Sequence, residues 1–86
     1  LKQHPRVVAA FLGRGTALAM SGRLREAVTD FSQAVALDAA CVEGLKRRGQ
    51  SLLALSEFRL AMQDFDACLR LAPGDADAHQ QRGVCY

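Results

Sequence analysis

Few side chains in this sequence could do chemistry, and their spacing keeps them apart. The thiols are Cys41, Cys68 and Cys85, an odd number with no Cys-x-x-Cys pair among them. The imidazoles, His4 and His79, stand near opposite ends of the chain and in no fixed relation to any pair of thiols. Zinc would need four such ligands converging, so no metal and no cofactor is expected. Asp64 and Asp66 are two residues apart, which on a helix turns them about 200° from one another and prevents joint acid–base work. No glycine loop stands ready for a phosphate, and two histidines so placed build no Ser/His/Asp or Cys/His arrangement. The sequence therefore predicts no enzyme. The cysteines read instead as small hydrophobes of a reducing, cytoplasmic setting, with Cys41 at a turn, Cys68 on a buried helical face and Cys85 in the last helix.

The basic residues offer a second kind of chemistry. Lys46-Arg47-Arg48 is a basic run, but it is short and no aromatic is interleaved to stack on bases, so nucleic-acid binding is a weak alternative. The net charge is only +2, with both signs intermixed. The arginines are more informative by position: Arg14, Arg48 and Arg82 each precede a glycine, while Asp30 and Asp64 each precede a phenylalanine. An arginine and an aspartate that recur together predict a repeated ion pair between helices, the planar guanidinium meeting a carboxylate bidentately. The functional alternative is an arginine ladder for a ligand, disfavoured because the acidic partner repeats as well.

What positions these residues is a period. Gly15, Gly49 and Gly83 are spaced 34 residues apart, and a shift by 34 also superposes Val8 on Val42, Leu18 on Leu52, Ala27 on Ala61, Asp30-Phe31 on Asp64-Phe65 and Leu37 on Leu71. A repeat of this length is one supersecondary unit that cannot bury its apolar face alone and must stack on the next. Apolar residues recur every three or four positions in two runs per period, which is helical spacing. A breaker separates the runs, Ser21-Gly22 in the first period and Leu55-Ser56 in the second. Helices are thus predicted over 5–21, 24–37, 41–55, 57–71 and 76–86. Pro5 suits the first turn of the opening helix. Gly22 suits a left-handed helix end. Ser56 is expected to cap the fourth helix, and Asp75 the fifth after Pro73-Gly74 has stopped the chain. Half of the residues are apolar, and no run has the length of a membrane span.

These residues resemble the tetratricopeptide repeat. The second period carries Leu45, Gly49, Leu52, Ala61, Phe65 and Leu71-Ala72-Pro73; the first carries Phe11, Gly15, Leu18, Ala27, Phe31, Ala34 and Leu37, with Ala39 where the family has proline; the third carries Gly83 and Tyr86. The 35-residue pentatricopeptide repeat, an RNA reader, would have drifted out of register. The resemblance implies an all-α solenoid of antiparallel helical hairpins, a right-handed superhelix of about five helices, as a single domain fragment over 1–86 with repeats 8–41, 42–75 and a partial 76–86. Gly15, Ala27, Phe31, Gly49, Ala61, Phe65, Pro73 and Gly83 would be packing residues, with the glycines close to the alanines and the rings filling the space beside them.

The resemblance further implies that the first helix of each hairpin lines a concave groove. In the first repeat this would present Ala9, Leu12, Gly13, Thr16 and Met20, and in the second Glu43, Lys46, Arg47, Gln50 and Leu53. The third would add Asp77, Gln80, Gln81 and Val84. Such a groove grades from small and apolar to polar and partly basic, and suits an extended peptide or helical segment of a protein partner. Some members of the family clamp the C-terminal carboxylate of heat-shock chaperones with lysine, asparagine and arginine. Here the matching positions hold Leu12, Thr16, Arg47, Asp77 and Gln81, so that ligand is disfavoured in this register; a register opening on Lys46 and Gln50 would need further repeats. A chain without an opening methionine that closes within a helix reads as a piece of a longer protein. Its exposed terminal helices make self-association another expectation.

Overall fold

The computed structural model describes residues 5–85, with side chains from 6 to 83. All regular structure among them is helical: α1 (Pro5–Met20), α2 (Leu24–Leu37), α3 (Val42–Ala54), α4 (Phe58–Leu71) and α5 (Ala76–Cys85). Consecutive helices pack on one another, and α3 touches both α1 and α5. The odd-numbered helices thus form one layer and α2 and α4 the other. The particle is a slab of 35 × 29 × 17 Å.

Turn chemistry sets the hairpins. At the end of α1, Gly22 has φ 82°, its N–H donates to the Ala19 carbonyl at 3.0 Å, and Arg23 N–H donates to that of Leu18 at 2.8 Å. This pair of bonds is a Schellman motif, which needs a left-handed residue. One period later the same motif recurs, with Ser56 N–H donating to Leu53 at 2.9 Å and Glu57 N–H to Leu52 at 2.8 Å. Ser56 takes the left-handed position, at φ 63°. The expectation that Ser56 caps α4 is therefore corrected: Glu57 holds the cap position and makes no side-chain cap bond, because the backbone of Ser56 is committed to ending α3. Asp75 does cap α5, its carboxylate accepting from Ala78 N–H at 3.0 Å. Cys41, the equivalent residue one repeat earlier, caps α3 with its sulfur, which accepts from Gly44 N–H at 3.3 Å.

Within each hairpin, an aromatic ring is laid on a glycine. A Cβ at Gly15 would lie 2.7 Å from Phe31 Cε1, and one at Gly49 2.8 Å from Phe65 Cζ. Both rings are buried, as are Ala27 and Ala61. The ring thus sits over the glycine, whereas the sequence placed it beside a glycine–alanine contact. Two expected packing residues depart from the pattern. A Cβ at Gly83 would meet nothing within 4 Å, since no described helix brings an aromatic to it. Pro73 is exposed and acts in the turn, where its carbonyl lies 2.7 Å from His79 Nε2.

The recurring ion pair is present. Arg14 Nε and Nη2 donate to the Asp30 carboxylate at 2.8 and 2.9 Å, and the same atoms of Arg48 donate to Asp64, both at 2.8 Å. Both aspartates are buried, so the charge is satisfied from the neighbouring helix of the same hairpin. Asp66, turned away from Asp64, pairs with Arg82. No helix among the described residues is long and apolar enough to cross a membrane.

Candidate interaction groove

Two depressions open on the layer of odd-numbered helices. One, about 240 Å³, is lined by Thr16, Ala19 and Met20 of α1, Leu24 and Phe31 of α2, and Arg47, Gln50 and Ser51 of α3. The other, about 410 Å³, is lined by Val42, Glu43, Lys46, Arg47 and Gln50 of α3 and Asp77 of α5. They share Arg47 and Gln50, and so adjoin along α3. Helical spacing produces this: Glu43, Arg47 and Gln50 fall at i, i+4 and i+7, one face of α3.

Of the residues expected to face inward, Thr16, Met20, Glu43, Lys46, Arg47, Gln50 and Asp77 come together here. Leu12 does not belong with them alone, since it packs with Val8, Ala34 and Cys41 in the core. Leu53 likewise packs against Leu52, Ala61 and Phe65. Ala9 and Gly13 are exposed, and Gln80 and Gln81 line neither depression. The side chains of Val84 and Cys85, with residues 1–4 and Tyr86, lie outside the described set. Sequence reasoning passed over Ala19, Leu24, Phe31, Val42 and Ser51. Phe31 reaches the groove because Gly15 leaves its ring nothing to clear, a consequence the Gly15/Phe31 register already contained.

The basic residues expected in the groove are paired with carboxylates. Lys46 Nζ lies 3.0 Å from Asp75 Oδ2 and 3.8 Å from Asp77 Oδ2. Arg47 Nε donates to Glu43 at 2.8 Å, one helical turn away, and Arg48 is held by Asp64 and by Ser32 Oγ at 3.2 Å. Three adjacent cations therefore point at three different carboxylate partners, with the Arg47 side chain still 40% exposed in the groove. The titrations follow. The hydrogen bond from Lys46 to Asp75 raises the lysine above its ordinary value, and Arg48 is raised by Asp64. Asp75 is lowered, first by the Ala78 N–H and then by Lys46. Burial pushes the Cys68 thiol up to about 11, so it stays protonated and donates to the Val42 carbonyl at 3.5 Å. No group of three or more metal-ligating side chains forms among the described residues.

Stacked helical hairpins with a groove along the first helices define an α-helical repeat protein. The chain belongs to the tetratricopeptide repeat family, whose model matches residues 1–40 and again 12–76. Among curated proteins it is 35% identical over 77 residues to human DnaJ homolog subfamily C member 7, covering 90% of this chain and 16% of that protein. It is 39% identical over 59 residues to human peptidyl-prolyl cis-trans isomerase FKBP4 and 34% identical over 59 residues to rat serine/threonine-protein phosphatase 5. Those two alignments cover 69% of this chain and only 13% and 12% of the relatives. Among solved structures, the second TPR domain of human RPAP3 in complex with the HSP70 peptide SGPTIEEVD superposes with TM-score 0.87 at 28% identity, covering 91% of this chain and 65% of that one. The first TPR of Spaghetti (RPAP3) bound to the HSP90 peptide SRMEEVD gives 0.90 at 25% identity, covering 94% and 64%.

Proposed function

We propose that this segment is a protein-interaction module that takes an extended peptide, or a helical segment of a partner, in the groove across α1, α3 and α5, and that it performs no catalysis. The observation that carries this reading is the pair of depressions that adjoin at Arg47 and Gln50 on the layer of first helices. The likeness to TPR domains in complex with peptides supports it. The groove's chemistry favours a mixed ligand. Met20 and Leu24 offer apolar surface at one end, and Gln50 offers an amide in the middle. At the other end the charges are already matched, so a ligand gains by exchanging partners with Arg47 rather than by neutralising a free cation.

A C-terminal acidic tail of the chaperone kind is a poorer fit in this register. Leu12 is drawn into the core, Lys46 is occupied by Asp75, and Asp77 would repel a carboxylate. Nucleic acid is disfavoured by the pairing of Lys46, Arg47 and Arg48, since counterion release needs unpaired cations.

The test is selection of displayed peptides on the parent chain, followed by titration of the selected peptides and of SRMEEVD into the parent and into Gln50→Trp. The indole would stand where the two depressions meet and obstruct a ligand that crosses α3, while breaking no ion pair. Selected peptides should bind the parent, lose binding to Gln50→Trp at unchanged helical circular dichroism, and outcompete SRMEEVD. Equal binding to both proteins would reject the groove, and preferential capture of SRMEEVD would reject the ligand chemistry.

A further inference from the structure

Building on the peptide-binding reading of the groove, we propose that its ligand places a basic side chain, of lysine or arginine, at the end formed by α3 and α5, and an apolar side chain at the α1 end. The charge count at the α3–α5 end carries this. Arg47 Nε donates to Glu43 Oε2 at 2.8 Å. Lys46 Nζ gives its hydrogen bond to Asp75 Oδ2 at 3.0 Å, while Asp77 Oδ2 stands 3.8 Å off, beyond hydrogen-bonding distance. Asp75 is engaged through both oxygens, because Oδ1 accepts from Ala78 N–H at 3.0 Å. The partial positive charge of the α5 N-terminus therefore goes to Asp75 as well. Each cation has a carboxylate of its own, and Asp77 is left over, with its side chain 74% exposed. Three carboxylates, Glu43, Asp75 and Asp77, face two cations, Lys46 and Arg47, which leaves a surplus of one negative charge.

The surplus is placed where a ligand would meet it. Asp77 and Glu43 both line the depression of about 410 Å³, one from α5 and the other from α3. Glu43 commits only Oε2 to Arg47, and its side chain is 55% exposed, so Oε1 is open to an incoming donor. Val42 adds an apolar wall to the same depression. Long cationic side chains use such a combination, laying the aliphatic stem on apolar surface while the charged head meets carboxylates. A carboxylate brought to this end would meet a surplus of its own sign, and a neutral side chain would leave Asp77 as it is, so a cation alone gains. At the other end, α1 and α2 bring no charged residue to the depression of about 240 Å³. The two ends thus differ in what they accept, which fixes the direction in which a ligand lies.

The test begins with random displayed peptides selected in parallel on the parent chain and on Asp77→Lys. Peptides taken by the parent should be enriched in lysine or arginine over aspartate and glutamate and should carry an apolar residue at a fixed spacing from the basic one; those taken by Asp77→Lys should exchange the basic residue for an acidic one. The tightest parent peptide is then titrated by fluorescence anisotropy. Changing its basic residue to glutamate should weaken binding to the parent at least about tenfold, and Asp77→Lys should recover most of that loss. Asp77→Asn, a milder change at an exposed position, should weaken the original peptide at unchanged helical circular dichroism, and it decides the matter should Asp77→Lys lose helicity. Acidic or neutral peptides selected by the parent would overturn the proposal. So would a charge swap without effect on a peptide that Gln50→Trp still excludes, which would leave the groove reading standing and remove only the charge assigned to its ligand. Peptides that bind Gln50→Trp as well as the parent, or none enriched at all, would reject the groove and this assignment together.

Discussion

Replacing Gly49 by alanine isolates the contact on which each hairpin depends. The new Cβ would stand 2.8 Å from Cζ and 2.9 Å from Cε1 of Phe65, inside any normal carbon–carbon separation. Phe65 is fully buried and packed with Leu52 and Ala61, so the ring can clear the methyl only by displacing its neighbours. Overpacking of this kind costs about 1–3 kcal/mol. Alanine in a helix interior returns about 1 kcal/mol in backbone propensity, which leaves a net loss of about 1 kcal/mol. Gly13 is the internal control, because it is exposed and a Cβ there meets nothing within 4 Å. Gly13→Ala should therefore gain the propensity term, up to about 1 kcal/mol. The two single variants should differ by about 2 kcal/mol, or about 10 °C in melting midpoint for a chain of this size, and urea denaturation should give the same order. Adding Phe65→Leu to Gly49→Ala should cost less than Phe65→Leu alone. A Gly49→Ala protein as stable as Gly13→Ala would show that the ring yields freely and that the glycine is not a packing requirement.

Ser56→Gly should stabilise the chain by about 1 kcal/mol in denaturant titrations, since it removes a left-handed non-glycine residue, and Gly22→Ala should cost a similar amount. Arg48→Ala and Asp64→Ala should couple by about 1 kcal/mol in a double-mutant cycle, and more strongly than Arg14→Ala with Asp30→Ala, whose arginine is mostly exposed. Asp75→Asn keeps the cap but loses Lys46. Because the folded carboxyl is lowered from 3.8, the parent's advantage over Asp75→Asn should be complete above that pH and fade as pH falls through the lowered folded value. Cys68, held protonated near 11, should resist thiol reagents at pH 8 in the folded protein and react once urea unfolds it.

The helices were legible because a strict period averages local ambiguity: 24–37 is recovered as Leu24–Leu37 and 57–71 as Phe58–Leu71. The Arg/Asp pair was legible for the same reason, as a coincidence repeated at a fixed offset. Ser56 was misread because local preference was heard before register. It stands one period after Gly22 and inherits the left-handed position, whatever serine favours in isolation. Lys46 was read as a groove cation because its partner, Asp75, lies on the cap of a helix in the next repeat, outside the pattern of a single hairpin. Leu24 and Phe31 were not foreseen at the groove's apolar end because they belong to the second helix of the hairpin and line it only where Gly15 leaves the ring room.

The central claim is most directly tested by mapping backbone amide shifts of the labelled chain as a selected peptide is titrated in. The account predicts perturbations concentrated at Thr16, Met20, Glu43, Arg47 and Gln50, with Thr29, Gln63 and Arg70 on the second helices silent. Shifts confined to α2 and α4, with Arg47 and Gln50 unmoved at saturation, would contradict it.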